Sequence, residues 1–417
     1  MEEASMEDDA VEDEENHERL LMAASFLVIA HEESRQRRID QRNQSRTYLC
    51  RPDLLPNPRE GTPWTTLYNS RNNRAYITTM GFDVDTFDYI RASGFARKWD
   101  ETPVPRADAE GRGDSRPGGR SLDAAGALGL LLHYLSSTMR EISLQEIFAL
   151  IPSTVFRYIT FGLQILLEIL RRIGEAEIEW PDDNAFALYT HLIVRRHTRL
   201  HGAFGSIDGL NLAVQTSGDQ DIENATYNDW LSAHFVSSVL VFSPRGEIVA
   251  CNLNAPGSWH DSHVAQPIFE KLRSQTPDGY YLVADAAFPR GTQDIRERIQ
   301  APLKPGQSIT GSAFEIEGRM AFNRELLSYR QTADWGMRAL QGSFGRLRIL
   351  LEVDYKDRTA DLLEICVCAH NLRTRRVGIN RVGQQLCMMQ RFGIHLRMFS
   401  SQSSEKMTKF RAFMFYD

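Results

Sequence analysis

The feature that most constrains this chain is a change of apolar period near residue 200. Between 121 and 200, apolar residues recur every three or four positions. Leu128, Leu131, Leu132 and Leu135 form one such set, and Val155, Phe156, Ile159, Leu163, Leu166, Leu167 and Leu170 another. That spacing puts them on one face of a helix. From about 204 the period drops to two. Leu210, Leu212 and Val214 alternate, parts of Phe235–Phe242 do so too, and Ile248–Leu253 continues the series. The prediction is a helical part followed by strands, with Gly218–Asp219 and Pro244–Arg245–Gly246 as turns. A helix over about 184–200, carrying Arg195, Arg196 and Arg199, joins the two parts. A helix over about 261–273 and the apolar run Tyr280–Ala284 follow. Meandering strands, then helix, strand and helix, make an α/β order.

Within the helical part, Ser143 and Glu146 read as a capping box for a short helix ending at Leu150, and Pro152–Ser153 restarts the chain. Helix, short helix, turn and long helix outline a helix-turn-helix-like region. Arg157 is the single basic residue of the long helix before Arg171 and Arg172, thin equipment for reading DNA.

Charge is unevenly placed. Residues 1–18 hold ten acids and no Lys or Arg, so removing them takes the net charge from −7 to +3. This run is expected to stay solvated. Arg35, Arg37, Arg38, Arg42 and Arg46 then form a basic stretch, read either as a DNA-contacting or nuclear-import arm or as a solvated one. Arginine outnumbers lysine 42 to 6. The planar guanidinium suits phosphate, and a GC-rich coding sequence gives the same skew, so charge alone decides nothing. Five scattered cysteines (Cys50, Cys251, Cys366, Cys368, Cys387) form no CxxC pair, which points to a reduced, intracellular chain. The apolar stretch Leu20–Ala30 is too short to cross a bilayer, and no membrane association is expected. The expected divisions are an arm over 1–50, a linker and irregular region over 51–120, the helical part over 121–200, an α/β part over 204–382 and a tail over 383–417.

Acids at strand ends carry the chemistry. Asp208 stands in Ser206-Ile207-Asp208-Gly209 at the expected start of the first strand, and Asp285 ends Tyr281-Leu282-Val283-Ala284-Asp285. A carboxylate attached to a buried strand is costly unless it is paired or holds a cation, and two on neighbouring strands repel. Strand-end caps or salt bridges are the plainer alternative for either acid alone. The third element is 330–351. Met337, Leu340, Phe344, Leu347 and Leu351 mark a buried helical stripe. Arg330, Asp334, Arg338, Gln341, Gly345 and Arg348 fall on the adjacent face at about 100° per residue. An ion pair of Asp334 with Arg330 or Arg338 accounts for that face equally well.

The segments SIDGLNL (206–212), NATYNDWLSAHFVSSVLVFSPRGEI (224–248), NAPGSWHDSHV (254–264), VADAAFP (283–289) and SYRQTADWGMRALQGSFGRL (328–347) come in a known order and spacing. Together they resemble the DDE superfamily endonuclease domain of PIF/Harbinger-type transposases, and CAHNLRTRRVGINRV (368–382) resembles that family's closing helix. The resemblance covers about 204–382. It implies an RNase H-like mixed sheet flanked by helices. It also implies three metal-binding catalytic acids, carried onto Asp208, Asp285 and Asp334, which are expected to converge on one pocket. Asp261 is typical of the family too, either as a metal ligand or as a residue that orients one. His260, Arg330, Arg338 and Arg348 are the candidate DNA contacts, with a structural hydrogen bond as the plainer role for His260.

The implied cofactor is Mg²⁺ or Mn²⁺, the partner is double-stranded DNA, and the reaction is cleavage and strand transfer at element ends. A homo-oligomer, a Myb-like accessory protein and a nuclear (with cytoplasmic) location are further expectations. One departure matters: the family has Glu where this chain has Asp334, which retracts the charge by one methylene. The alternative reading is therefore a domesticated, catalytically weakened protein of nuclease fold that binds DNA or a partner.

Overall fold

The computed structural model describes residues 48–378 except 106–113, 287, 289–291, 305 and 355, together with most of 22–41. The acidic run 1–18, Arg42, Arg46, Cys387 and the tail 383–417 lie outside the described residues. Residues 24–38 are helical, and there Arg35 and Arg37 pair with Glu32 and Glu33 of the same helix.

The segment 51–120, expected to be irregular, contains four short helices: α1 (Pro63–Ser70), α2 (Asn73–Met80), α3 (Val84–Ile90) and α4 (Ala96–Glu101). At six to eight residues each they are too short to show a clear apolar period, but three begin on capping side chains. Thr62, Asn72 and Asp83 each accept a backbone N–H of the first turn, satisfying a donor that the helix itself cannot.

The helical part follows as α5 (Ala124–Ser136), α6 (Glu141–Phe148) and α7 (Pro152–Leu170). Ser143 does not cap α6; the helix starts two residues earlier, after Arg140. Helix α7 buries eleven residues, each large aliphatic one worth about 1.5–3 kcal/mol. It packs against the C-terminal helix and is a core helix, not an exposed one. Length and composition would let α7 span a bilayer, yet 61% of it is buried in protein. Arg157, expected to be exposed on this helix, is half-buried. The three helices appear in the predicted order, but nothing in their packing gives one of them a recognition role.

Helix α8 (Asp183–Val194) leads into a six-stranded mixed sheet. Strand β1 (Ala203–Ala213) pairs antiparallel with β3 (Ala233–Phe242) and parallel with β5 (Tyr281–Val283). Strand β3 also pairs with the short β2 (Tyr227–Asn228) and with β4 (Ile248–Pro256), while β6 (Ile299–Gln300) lies beside β5. The chain bends at the expected 218–219, and Asp219 caps helix α9 (Gln220–Thr226), which follows. The expected helix over 261–273 is broken into α10 (Asp261–Val264) and α11 (Gln266–Ser274). Helix α12 (Gln293–Arg298) precedes β6.

Helix α13 (Ala313–Ser343) is far longer than the predicted segment, and it starts on a capping box of Ser312 and Glu315. It also ends sooner. Phe344 breaks it, and Gly345–Arg348 form a 3₁₀ turn, so Gly345 and Arg348 leave the face they were expected to share with Asp334.

The sheet is covered on both sides. On one side Leu210, Leu212, Leu240, Phe242 and Ile248 join α5, α7, α13 and the C-terminal helix α14 (Lys356–Arg376) in a single apolar cluster reaching from Trp64 to Leu372. On the other side Ile207, Val239, Val241 and Val249 pack with Phe186 of α8 and with Ile268, Phe269 and Leu272 of α11. Helix α14 is fastened to the outer side of β4 by one residue. The Ile248 N–H donates to Asn371 Oδ1 (2.8 Å), while Asn371 Nδ2 donates to the carbonyls of Ile248 (2.8 Å) and Glu177 (2.9 Å).

Candidate carboxylate site

Asp208 is the sixth residue of β1, not its first. Successive strand residues face opposite sides, so Asp208 shares a side with Leu210 and Leu212, which pack in the cluster containing α13. The parallel register matches Ser206 with Val283. Continued by two residues, it brings Asp285, just past the end of β5, level with Asp208. Helix α13 crosses this face of the sheet with Ala333, Met337 and Leu340 inward. Its close approach depends on Gly336, where a Cβ would stand 2.5 Å from the Phe242 ring. Phe242 is the cross-strand partner of Ser206. Asp334 lies at the flank of that stripe, half-buried.

Asp208 senses the other two acids. The Asp208 carboxyl is raised from 3.8 to about 6, first by burial and then by the charges of Asp334 and Asp285. The Gly209 N–H, which donates to Asp208 Oδ1 (2.8 Å), and the Arg330 guanidinium act the other way. Asp285 accepts from the Ala286 N–H (2.7 Å) and, at the same Oδ1, from Arg330 Nη1 (2.9 Å). Sequence reasoning offered Asp334 a pair with Arg330 or Arg338, each one turn along the helix; the structure pairs Arg330 with Asp285, 45 residues away in the chain.

Among the described residues, no three His, Cys, Asp or Glu side chains are gathered tightly enough to enclose a metal ion. The donor chemistry nevertheless fits a hard divalent cation. Three half-buried carboxylates offer oxygen ligands, Asp208 among them repelled by the other two, and the Ser206 hydroxyl, two residues before Asp208, is buried without a hydrogen-bond partner. The spacing as it stands leaves Asp285 engaged with Arg330.

Asp261 lies elsewhere. It touches the position that a Gly209 side chain would take, its Oδ2 standing 3.2 Å from that Cβ, which is the side of β1 opposite Asp208. Burial raises its carboxyl, and His260 is the nearby charge that opposes this. His260 caps α10, its Nδ1 accepting from the Ser262 N–H (3.3 Å). Arg338, one turn beyond Asp334, and Arg348, in the 3₁₀ turn, are exposed.

Neither curated proteins nor solved structures gave a match to this chain. A family model described as DDE superfamily endonuclease matches residues 207–371, the segment that contains Asp208, Asp261, Asp285 and Asp334.

Proposed function

We propose that this chain is a DDE-type transposase or nuclease of the PIF/Harbinger kind, cutting DNA phosphodiester bonds with the help of Mg²⁺ or Mn²⁺ on an RNase H-like sheet. The observation that carries the reading is that Asp285 and Asp334 both stand near enough to Asp208 for their charges to raise its carboxyl, within a segment that matches an endonuclease family. In this reading those three acids hold the metal. Held by these acids, a divalent ion would supply polarisation of the scissile phosphate and activation of water or a 3′-hydroxyl.

The rest of the work falls to the chain's own groups. Gly336 and Phe242 set the height of α13 above the sheet and so the reach of Asp334. The Gly209 and Ala286 N–H groups hold Asp208 and Asp285 in fixed rotamers through one Oδ1 each, leaving the other oxygens to ligate. Arg330, paired with Asp285 in this structure, would stand beside the site as a cation for a non-bridging phosphate oxygen. Strand transfer at two element ends calls for at least two copies of the chain. Nuclear location and a Myb-like accessory protein complete the proposal.

The test is Mg²⁺- or Mn²⁺-dependent nicking of a supercoiled plasmid carrying the sequences that flank the gene. Cleavage by the full chain, lost in Asp208→Asn and with chelator, supports the proposal. Cleavage that persists in Asp208→Asn overturns the assignment of the site.

A further inference from the structure

The turn Arg195-Arg196-His197-Thr198-Arg199-Leu200-His201, between α8 and β1, takes no part in the carboxylate site. Arg195, Arg196, Arg199 and His201 are exposed. Among the described residues, none of these three arginine side chains is held by a carboxylate. Their situation differs from that of Arg171, Arg273, Arg298, Arg330, Arg375 and Arg376, each of which spans the fold to an acid. The nearest anion is Glu325 of α13, whose carboxylate accepts the backbone N–H of Arg199 (2.8 Å) and leaves the guanidinium uninvolved.

The turn is fixed in place at several points. His197 is buried with its ring edge-on to Tyr329 of α13 (5.5 Å between centroids), Leu200 is fully buried, and Thr190 Oγ1 donates to the Ala203 carbonyl (3.0 Å). It is therefore locked both to the strand that bears Asp208 and to the helix that bears Asp334. Its inward side chains are His197 and Leu200, so it presents cations to solvent without an apolar anchor for a lipid surface.

We infer that Arg195, Arg196 and Arg199 form a phosphate clamp for the DNA duplex that flanks the cut; the inference rests on the nuclease reading above. Ala203, where the turn ends, is five residues from Asp208 along β1, or about 17 Å at ~3.3 Å per residue. Duplex DNA rises ~3.4 Å per base pair. The clamp thus meets phosphates about five base pairs from the one at the carboxylates. Guanidinium groups hold such phosphates without reading sequence, so the clamp sets register and affinity.

The test is the salt dependence of binding of a fluorescent duplex by the full chain, in chelator so that cleavage is silent. For every phosphate that is no longer neutralised, the slope of log K against log salt becomes shallower by about 0.9. R195Q/R196Q/R199Q is expected to reduce it by roughly 2–3 and to weaken binding by two to three orders of magnitude at ~0.1 M salt. The lysine triple R195K/R196K/R199K should keep most of the slope. R74Q/R97Q/R140Q, which removes the same charge from exposed sites in the segment before α7, should leave it unchanged. An unchanged slope in the first variant, or an equal loss in the R74Q/R97Q/R140Q control, overturns the clamp while the nuclease reading stands. No salt-sensitive binding by the unaltered chain, or binding to phosphatidylserine vesicles in its place, overturns both.

Discussion

Asp208→Asn should stabilise the metal-free protein at neutral pH. In the folded chain the carboxyl is raised from 3.8 to about 6, and each pH unit of such displacement is worth about 1.4 kcal/mol. Ionised Asp208 therefore costs the native state roughly 3 kcal/mol, on an order-of-magnitude basis. The sign follows from proton binding. The folded state holds this proton more tightly than the unfolded chain, so the carboxyl's favourable contribution is complete below pH ~4 and is lost as pH rises through about 6.

Asparagine carries no charge at any pH, and its Oδ1 can still accept the Gly209 N–H that Asp208 accepts now. Urea unfolding in chelator should show the variant more stable by up to about 3 kcal/mol at pH 8, shrinking to little at pH 4. Part of that gain comes from Asp334 and Asp285, so Asp208→Asn and Asp334→Asn should not add when combined. Adding Mg²⁺ should reverse the order. A ligand that binds the native state at about a hundred times its dissociation constant adds ~2.7 kcal/mol, and only the unaltered chain keeps all three acids. A variant no more stable than the parent at pH 8 without metal, or a gain that persists unchanged at pH 4, refutes the reasoning.

Three further outcomes are expected. Asp334→Asn should abolish metal-dependent plasmid nicking, whereas Asp334→Glu should raise it if α13 keeps the height that suits glutamate and lower it if the helix sits closer; Mg²⁺ needs oxygen at about 2.0–2.1 Å, and equal rates in all three proteins would remove Asp334 from the site. Gly336→Ala drives a methyl into the Phe242 ring and should cost about 1–3 kcal/mol in thermal or urea unfolding, with nicking falling further because Asp334 is displaced; a silent variant would mean that α13 does not need its close approach. Arg330→Gln should tighten Mn²⁺ binding by up to about fivefold in calorimetry, the worth of a half-exposed pair at 0.2–1 kcal/mol, while slowing nicking; unchanged Mn²⁺ affinity would show that Arg330 does not compete for Asp285.

Strand β1 was legible because its second half alternates between buried and less buried residues, β3 because it is dense in Val, Leu and Phe from Val236 to Phe242, and β5 because it shows as an unbroken apolar run before Asp285. Asp208 and Asp285 stood out beside those strands, although Asp208 is the sixth residue of β1 and not its first, while Asp334 lies on a helix. Helix α13 was only half legible. Its first half is exposed, with Phe314 at 86% and Met320 at 44%, so no apolar stripe marked it and only the Ser312–Glu315 box announced it. The Ser143–Glu146 pair has the same spelling but lies inside α6, which shows that a capping box needs a break in the chain before it. The Arg330–Asp285 pair was illegible in principle. Helical spacing offers Arg330 a neighbour at Asp334, and only the crossing of α13 over β5 supplies the other.

Asn371 gives β4 a false neighbour. Its amide makes both bonds to Ile248 that an adjoining strand would make, at the outermost long strand on that side of the sheet. An open row of backbone donors and acceptors there would template pairing with a second molecule. Helix α14 thus shields an edge as well as packing a core, and Asn371 is also where the endonuclease match stops. A fragment cut just short of it would keep every acid of the site and expose a sticky edge, turning a catalytic question into one of aggregation.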